Sequence, residues 1–197
     1  MALIDLPASP GPAKQQFIPV TFEGVLTPPF GAEEQQINRL GDRWAVAVEL
    51  PRLSLRAARD WSADLVSARR FGARWKLRQP GLKIGAPGAP LVAGAGQGGM
   101  MLSVDGMTPY AGWQKGQFVS IVTDGRRYLY QFAAAGAAAA DGGAAFAFST
   151  PLRVAPADND PVEFVPQIEG RLAGDDASWT IDELRLGHAA FVIREMA

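Results

Sequence analysis

Three glycines in the middle of the chain have the spacing of a dinucleotide-binding loop. Gly94, Gly96 and Gly99 satisfy the pattern G-x-G-x-x-G, in which glycines allow the backbone to approach a pyrophosphate at the start of a helix. The pattern carries this meaning only between a buried strand and a helix. Here a Pro-rich segment precedes it and the strand-like run MMLSVDG follows it. The context therefore argues against a dinucleotide site.

Metal and nucleophilic chemistry have very few candidate residues. His188 is the only histidine, and the chain has no cysteine, whereas zinc and copper sites usually require two or more imidazole or thiolate ligands. No G-x-S-x-G motif accompanies His188, so a surface or structural histidine is favoured over a member of a catalytic triad. We expect no metal, no cofactor and no enzymatic activity.

Two acidic pairs could in principle perform acid–base chemistry. Asp158 and Asp160 form one pair, and Asp175 and Asp176 form the other. Aspartates in loops are more often turn formers, because their side chains accept hydrogen bonds from nearby backbone N–H groups. The first pair also lacks the glycine and the distal glutamate of a calcium loop. We therefore interpret both pairs as turn residues.

Several aromatic residues could form a stacking surface for sugars or bases. The alternative is that they are core residues and cross-strand pairs, which is the usual role of aromatics in a β-rich protein. The second interpretation is favoured for this set: Trp75, Trp113, Tyr128, Tyr130 and Trp179.

The composition of the chain favours a β-rich fold. The 197 residues include 22 Gly and 15 Pro, and 48% are hydrophobic. Such a chain can form a core but interrupts helices often. A net charge of -1 provides no general attraction to nucleic acid. The N-terminus lacks the pattern of a signal peptide, and the apolar run at 132–140 is too short for a membrane span, so we expect no membrane partner.

The clearest helix is predicted from Ser54 to about Arg70. Ser54 is a suitable N-cap, and small or apolar residues recur at helical spacing on one face. These residues are Ala58, Trp61, Leu65 and Ala68. Most of the remaining chain resembles short strands and turns.

Strands and hairpin turns are predicted on both sides of this helix. Pro19 lies in a β-branched and aromatic run, which predicts an edge or bulged strand because proline has no N–H to donate. Asp105-Gly106 and Asp124-Gly125 predict hairpin turns, and Asp141-Gly142-Gly143 precedes another strand. The Ala-rich segment 133–140 has helical propensity, but its position favours a strand.

Charge is distributed unevenly along the chain. Residues 51–83 contain nine basic and two acidic residues, whereas residues 155–197 contain nine acidic and three basic residues. The basic segment is either a solvated helix face or a surface for an acidic partner. This asymmetry is suited to head-to-tail contact between copies, the geometry that closes into rings.

Short motifs in the second half resemble those of distal tail or tail-tip proteins of long-tailed, siphovirus-like bacteriophages. They are GQGGMMLSVDG at 96–106, KGQFVSI at 115–121, GRRYLYQ at 125–131, TPLR at 150–153 and SWT at 178–180. The strand around Trp44 and the following LPRLSLRAARDW segment fit the same pattern. The resemblance covers most of the chain from about residue 36.

The resemblance implies a structural subunit of the virion, made in the cytoplasm of the host bacterium. Such subunits form a homo-oligomeric ring, expected to be a hexamer, that joins the tail tube protein to the baseplate hub. The tape measure or fibre proteins are further possible partners. A tail terminator or head–tail joining protein is one alternative; a flavin-binding split-barrel protein and a carbohydrate-binding module are two others.

The expected fold is mainly β, of the α+β type, with one helix packed on a sheet and a small β-barrel-like unit. We predict an N-terminal arm at 1–15, a discontinuous sheet-plus-helix domain at 16–80 and 162–197, and a loop with the barrel-like domain at 81–161. The predicted assembly contacts lie in the arm, on the basic helix face and in the long Gly/Pro-rich loop. They are Leu3, Ile4, Leu6, Arg52, Arg56, Arg59, Leu82 and Ile84.

Overall fold

A computed structural model describes residues 3–27, 30–31, 33–38, 40–172, 178–181 and 187–196. One helix and short strands make up the regular structure of these residues. In chain order the elements are β1 (Ile4–Asp5), β2 (Lys14–Val20), β3 (Glu23–Leu26), β4 (Gln35–Asn38), β5 (Arg43–Glu49), α1 (Leu55–Phe71), β6 (Ala73–Lys76), β7 (Gly88–Val92), β8 (Met101–Met107), β9 (Gly112–Trp113), β10 (Phe118–Thr123), β11 (Arg126–Gln131), β12 (Gly136–Ala137), β13 (Ala144–Ala147), β14 (Val162–Glu163), β15 (Gln167–Leu172), β16 (Ser178–Ile181) and β17 (Gly187–Glu195).

The largest sheet collects strands from both ends of the chain. Its order is β1, β6, β15, β17, β5 and β2, and β16 pairs with β17. β1 joins β6 in parallel, whereas β2 pairs with β5 in the antiparallel direction. Pro19 lies in β2 at the edge of this sheet, which confirms the prediction of an edge strand, since its missing N–H removes no bond from an inner ladder.

The predicted helix is confirmed in its position, cap and buried face. α1 begins at Leu55, and the Ser54 hydroxyl accepts a hydrogen bond from the N–H of Ala57. This bond satisfies one of the N–H groups that the first helical turn leaves without a partner. The apolar face packs on the large sheet and forms the first hydrophobic core with it. The buried residues of that face are Ala58, Trp61, Leu65 and Ala68.

A second core lies among small sheets from the middle of the chain. β8 lies between β7 and β13, β10 lies between β11 and β14, and β9 pairs with β12. Phe132, Phe146 and Phe148 are fully buried there and contact one another. A mainly β fold with one helix on a sheet is confirmed. The barrel-like expectation differs from the structure, because none of the described sheets closes into a barrel.

Strand β10 contributes side chains to both cores, Phe118 to the first and Val119 and Ile121 to the second. Phe118 of β10 stacks on Phe17 of β2 with ring centroids 4.5 Å apart, and it meets Trp44 of β5 edge-on at 4.9 Å. The Ser120 hydroxyl donates to the carbonyl of Gln167 and accepts from its N–H. The middle strands therefore pack firmly on the large sheet. The division into domains stays a prediction.

The two Asp-Gly turns have different outcomes. Asp124 and Gly125 both have positive φ values and connect β10 directly to β11, as expected for a type I′ hairpin turn. The turn predicted at Asp105-Gly106 is wrong, because both residues lie within β8. Gly106 adopts its positive φ opposite a register shift between β7 and β8. The glycine thus marks an irregularity within the ladder instead of a reversal of the chain.

The Ala-rich segment 133–140 contains a short strand and no helix, as predicted. Gly136 and Ala137 form the short strand β12, which pairs with β9, and the flanking residues are not helical. The turn at Asp141 follows, with its carboxylate accepting from the N–H of Gly143. Tertiary pairing therefore decides the conformation of this segment against its helical propensity.

We expect Gly106→Ala to destabilise the fold by about 2 kcal/mol. Gly106 has a φ of 69°, and a Cβ atom at this position would lie 2.7 Å from the carbonyl oxygen of Ala89. Gly98→Ala is the matched control, because Gly98 has no positive φ and no atom within 4 Å of an added Cβ. Urea unfolding of both variants measures the difference. Equal free energies of unfolding for the two variants would contradict the role assigned to Gly106.

Candidate functional site

An arginine-rich cleft lies on the surface of the large sheet beside the end of α1. Its volume is about 780 Å³, and it lies where the end of α1 meets β1, β6, β15 and the start of β11. Two carboxylates, Asp5 and Glu169, line it. Six arginines line it as well: Arg69, Arg70, Arg74, Arg126, Arg127 and Arg171. We call this surface the arginine cleft.

Part of this positive charge is neutralised inside the protein. The buried carboxylate of Glu169 accepts hydrogen bonds from Arg74 at 2.6 Å and from Arg127 at 2.9 Å. Arg127 also donates two bonds of 2.8 Å to Glu163. These bonds to Glu163 and Glu169 raise the pKa of the Arg127 guanidinium, despite its partial burial. The network therefore attaches β11 to the large sheet and is a structural part of the cleft.

The rest of the cleft keeps a positive excess. Arg126 and Arg171 are exposed, and neither side chain forms an ion pair within the described parts of the chain. Arg171 lies directly opposite Arg194 in the β15–β17 ladder, and Arg194 is exposed as well. Like charges in opposite positions of a ladder destabilise a sheet. An anionic partner would reduce this repulsion.

A second polar centre lies buried at Glu195. Glu195 is 2% exposed. Its carboxylate accepts hydrogen bonds of 2.8 Å from the N–H groups of Trp44 and Leu129 and from the guanidinium of Arg153. Burial raises the pKa of the Glu195 carboxyl, and the charge of Arg153 and the two N–H groups oppose this rise. Because these donors lie on β5, on β11 and at Arg153, Glu195 joins three segments that are distant in sequence.

The second candidate surface is an apolar hairpin formed by β3 and β4. Among the residues that the structure describes, these strands pair with each other alone, as a separate two-stranded sheet. Val25 is 56% exposed, Leu26 is 54% exposed, and Phe30 near the tip is 98% exposed. An isolated two-stranded hairpin is at best marginally stable in water, and clustered exposed apolar side chains are typical of interaction surfaces. We call the described residues of this segment, 21–27, 30–31 and 33–38, the hairpin.

The hairpin is also acidic. It contains Glu23, Glu33 and Glu34 and no lysine or arginine. Glu23 accepts a hydrogen bond from Gln36, and Glu34 accepts one from Thr27. Both donors are neutral, so the carboxylate charges of these two residues are not compensated by them. The hairpin therefore offers apolar and negatively charged groups together.

The predicted contacts of the N-terminal arm have different environments. Ile4 lies in β1, paired with β6, and is partly buried against the first core. Leu6 is 6% exposed and belongs to that core. Leu3 lines the arginine cleft and is half-buried. The arm therefore completes an edge of the large sheet of its own chain, and Leu3 is the residue of the three with surface at the cleft.

The other predicted contacts lie away from the arginine cleft lining. Arg52, Arg56 and Arg59 are exposed, and the Arg59 side chain donates to the carbonyl of Leu55. Leu82 and Ile84 are half-buried, and Ile84 packs against the second core. The structure does not bring these residues together with the arm. Their role in assembly stays a prediction.

The glycine motif and the first acidic pair, which were considered for chemistry in the sequence, lie in loops and turns. Gly94, Gly96 and Gly99 lie in the loop before strand β8, not before a helix. The carboxylate of Asp158 accepts from the N–H of Gly94, and that of Asp160 accepts from the N–H of Ala157. The first acidic pair is therefore a pair of turn residues, as predicted. The second pair, Asp175 and Asp176, lies outside the described residues.

The histidine and most of the aromatic residues also have defined places. His188 is exposed in β17. Trp75, Trp113 and Tyr130 are buried, and the Trp113 indole donates to the carbonyl of Ala134. Tyr128 is half-buried beneath the guanidinium of Arg153. The core interpretation is confirmed for the buried three, while the side chain of Trp179 is outside the described structure.

Comparison with known proteins does not assign the chain to a family. No protein-family model matches it, and the search of curated proteins returns no match. Among the residues that the structure describes, no group of three or more His, Cys, Asp or Glu side chains could hold a metal ion. None of the helices in the described ranges is long and apolar enough to cross a membrane.

Neither the arginine cleft nor the hairpin was predicted from the sequence as a contact surface. The hairpin has a sequence signal, since an apolar alternating segment with acids follows Pro19, but only the pairing shows that it leaves the large sheet. The arginine cleft unites residues 69–74, 126–127 and 171. Because these segments are distant in sequence, no local charge pattern identifies the cleft.

Proposed function

We propose that this chain is a structural subunit that assembles with copies of itself into a ring at the tip of a bacteriophage tail. The observation that carries the proposal is the hairpin, a separate two-stranded sheet whose apolar residues Val25, Leu26 and Phe30 are exposed. Burial of such residues against another protein contributes roughly 1.5–3 kcal/mol per fully buried side chain. A surface of this kind is suited to permanent contact between subunits.

The arrangement of the large sheet supports the proposal. The hairpin follows directly from β2, at one edge of the sheet, while β1 forms the opposite edge. A contact that uses different surfaces at two opposite edges is heterologous and closes into a ring when the rotation between subunits permits it. The short motifs that resemble distal tail proteins support a place at the tail tip, between the tail tube and the baseplate hub.

The place at the tail tip is tested by labelling intact virions. We expect gold-conjugated antibodies against the chain to bind one end of the tail in particles purified from the strain that encodes it. Antibodies against the tail tube protein, which should label the whole tail length, are the control. Labelling that is absent from tails, or that covers the capsid, would contradict the proposal for the tail tip.

A further inference from the structure

We infer that the arginine cleft of one subunit is the acceptor site for the acidic hairpin of a second copy of the chain. The inference rests on the proposed self-assembly and names the two surfaces that meet. It assigns to the cleft a ligand of defined chemistry, an apolar peptide segment that carries carboxylates.

The first step is the charge that the cleft does not neutralise itself. Arg74 and Arg127 are paired with Glu169, and Arg127 is paired with Glu163 as well. Arg69 and Arg70 lie in the last turn of α1, where cations interact favourably with the helix dipole. The exposed residues Arg126 and Arg171 have neither an ion pair with a described carboxylate nor a position at the end of a helix. They are therefore the residues that an anionic partner would contact.

The second step is the pair of arginines opposite each other. Arg171 and Arg194 are neighbours across the β15–β17 ladder, and their repulsion opposes strand pairing. A carboxylate close to both guanidinium groups would turn this repulsion into attraction, and arginine binds carboxylates with two parallel hydrogen bonds. An acidic segment bound close to both arginines would therefore stabilise the site more than a single distant charge.

The third step is the complementarity of the hairpin. Its three glutamates are not balanced by any lysine or arginine between residues 21 and 38. Its exposed Val25, Leu26 and Phe30 also require apolar surface. The arginine cleft supplies such surface next to its charges, through the side chains of Leu3, Phe71, Tyr128 and Met196. Both chemical features of the hairpin thus have a counterpart in the cleft.

The fourth step is position. β1 and β6, which border the cleft, lie at one edge of the large sheet, and β2, which leads into the hairpin, lies at the other. The two surfaces therefore belong to opposite sides of the subunit. A hairpin-to-cleft contact leaves one cleft and one hairpin open at the ends of any linear chain of subunits. Closure into a ring satisfies both.

The inference is tested by exchanging the charges. Arg126→Glu/Arg171→Glu forms the cleft variant, and Glu33→Lys/Glu34→Lys forms the hairpin variant. We expect each variant alone to have an apparent dissociation constant for self-association at least about tenfold higher than the unmodified chain. An equimolar mixture should assemble again, because every contact then joins opposite charges. Sedimentation velocity measures assembly, and circular dichroism checks that each variant is folded.

Lys115→Glu is the control, since it reverses an exposed cation that lies outside both the arginine cleft lining and the predicted contacts. We expect the control to assemble like the unmodified chain. Loss of assembly in the control but not in the cleft variant, or a mixture that stays monomeric, would overturn the inference while leaving self-assembly intact. An unmodified chain that is always monomeric would instead contradict the proposed function itself.

Discussion

Replacing Glu195 by Gln is expected to reduce the free energy of unfolding by about 3–5 kcal/mol. The carboxylate accepts three hydrogen bonds, from the N–H groups of Trp44 and Leu129 and from Arg153. A glutamine must direct its NH₂ group at one of these donors, so at least one buried donor loses its acceptor. Arg153, whose side chain is 8% exposed, also loses its counter-charge.

Glu49→Gln is the matched control for this variant. Glu49 forms an ion pair with Lys14, and both side chains are about half exposed or more. Exposed ion pairs of this kind contribute at most about 1 kcal/mol. Urea unfolding followed by circular dichroism compares the two variants with the unmodified chain. If Glu195→Gln lowers the free energy of unfolding no more than Glu49→Gln does, Glu195 does not join β5, β11 and Arg153 as described.

The largest effect on assembly is expected from the apolar residues of the hairpin. In the triple variant Val25→Thr/Leu26→Thr/Phe30→Ser, threonine keeps the preference for a strand while the apolar surface is reduced. Full burial of a Val, Leu or Phe side chain contributes roughly 1.5–3 kcal/mol, so we expect the dissociation constant for self-association to rise at least about a hundredfold when all three are replaced. The melting temperature should change little, since exposed positions have small effects on stability.

Val66 and Val165 provide the control for the hairpin variant. Both are more than half exposed, and neither belongs to the hairpin. Val66→Ala/Val165→Thr removes exposed apolar surface elsewhere, so we expect normal assembly. Sedimentation velocity compares both variants at the same concentrations. Assembly of the hairpin variant at the unmodified level would show that the exposed apolar residues of the hairpin are not the contact.

The sequence predicted those elements whose signals are local. Ser54 and the spacing of Ala58, Trp61 and Leu65 predicted α1 and its buried face, because a cap and a helical period depend on neighbouring residues. Pro19 predicted an edge strand for the same reason. Asp105-Gly106 was misinterpreted because a glycine with positive φ serves a turn and a bulge equally well.

The surfaces that carry the proposals depend on long-range pairing. Glu195 meets Trp44 and Leu129 only because β17 enters the large sheet beside β5. The arginine cleft likewise requires the end of α1, the start of β11 and β15 to come together. Leu6 also depends on long-range pairing. As an apolar residue near the N-terminus it suggested a contact with a neighbouring subunit, whereas in the structure it lies in the core of its own chain.

Self-assembly of this chain is measured by the mass of the full chain in solution. Sedimentation velocity over rising protein concentration, with negative-stain electron microscopy of the heaviest species, measures it. We expect closed rings of uniform subunit number that become less stable as salt concentration rises, since part of the contact is electrostatic. A chain that remains monomeric at its highest soluble concentration, at low salt, would contradict the claim.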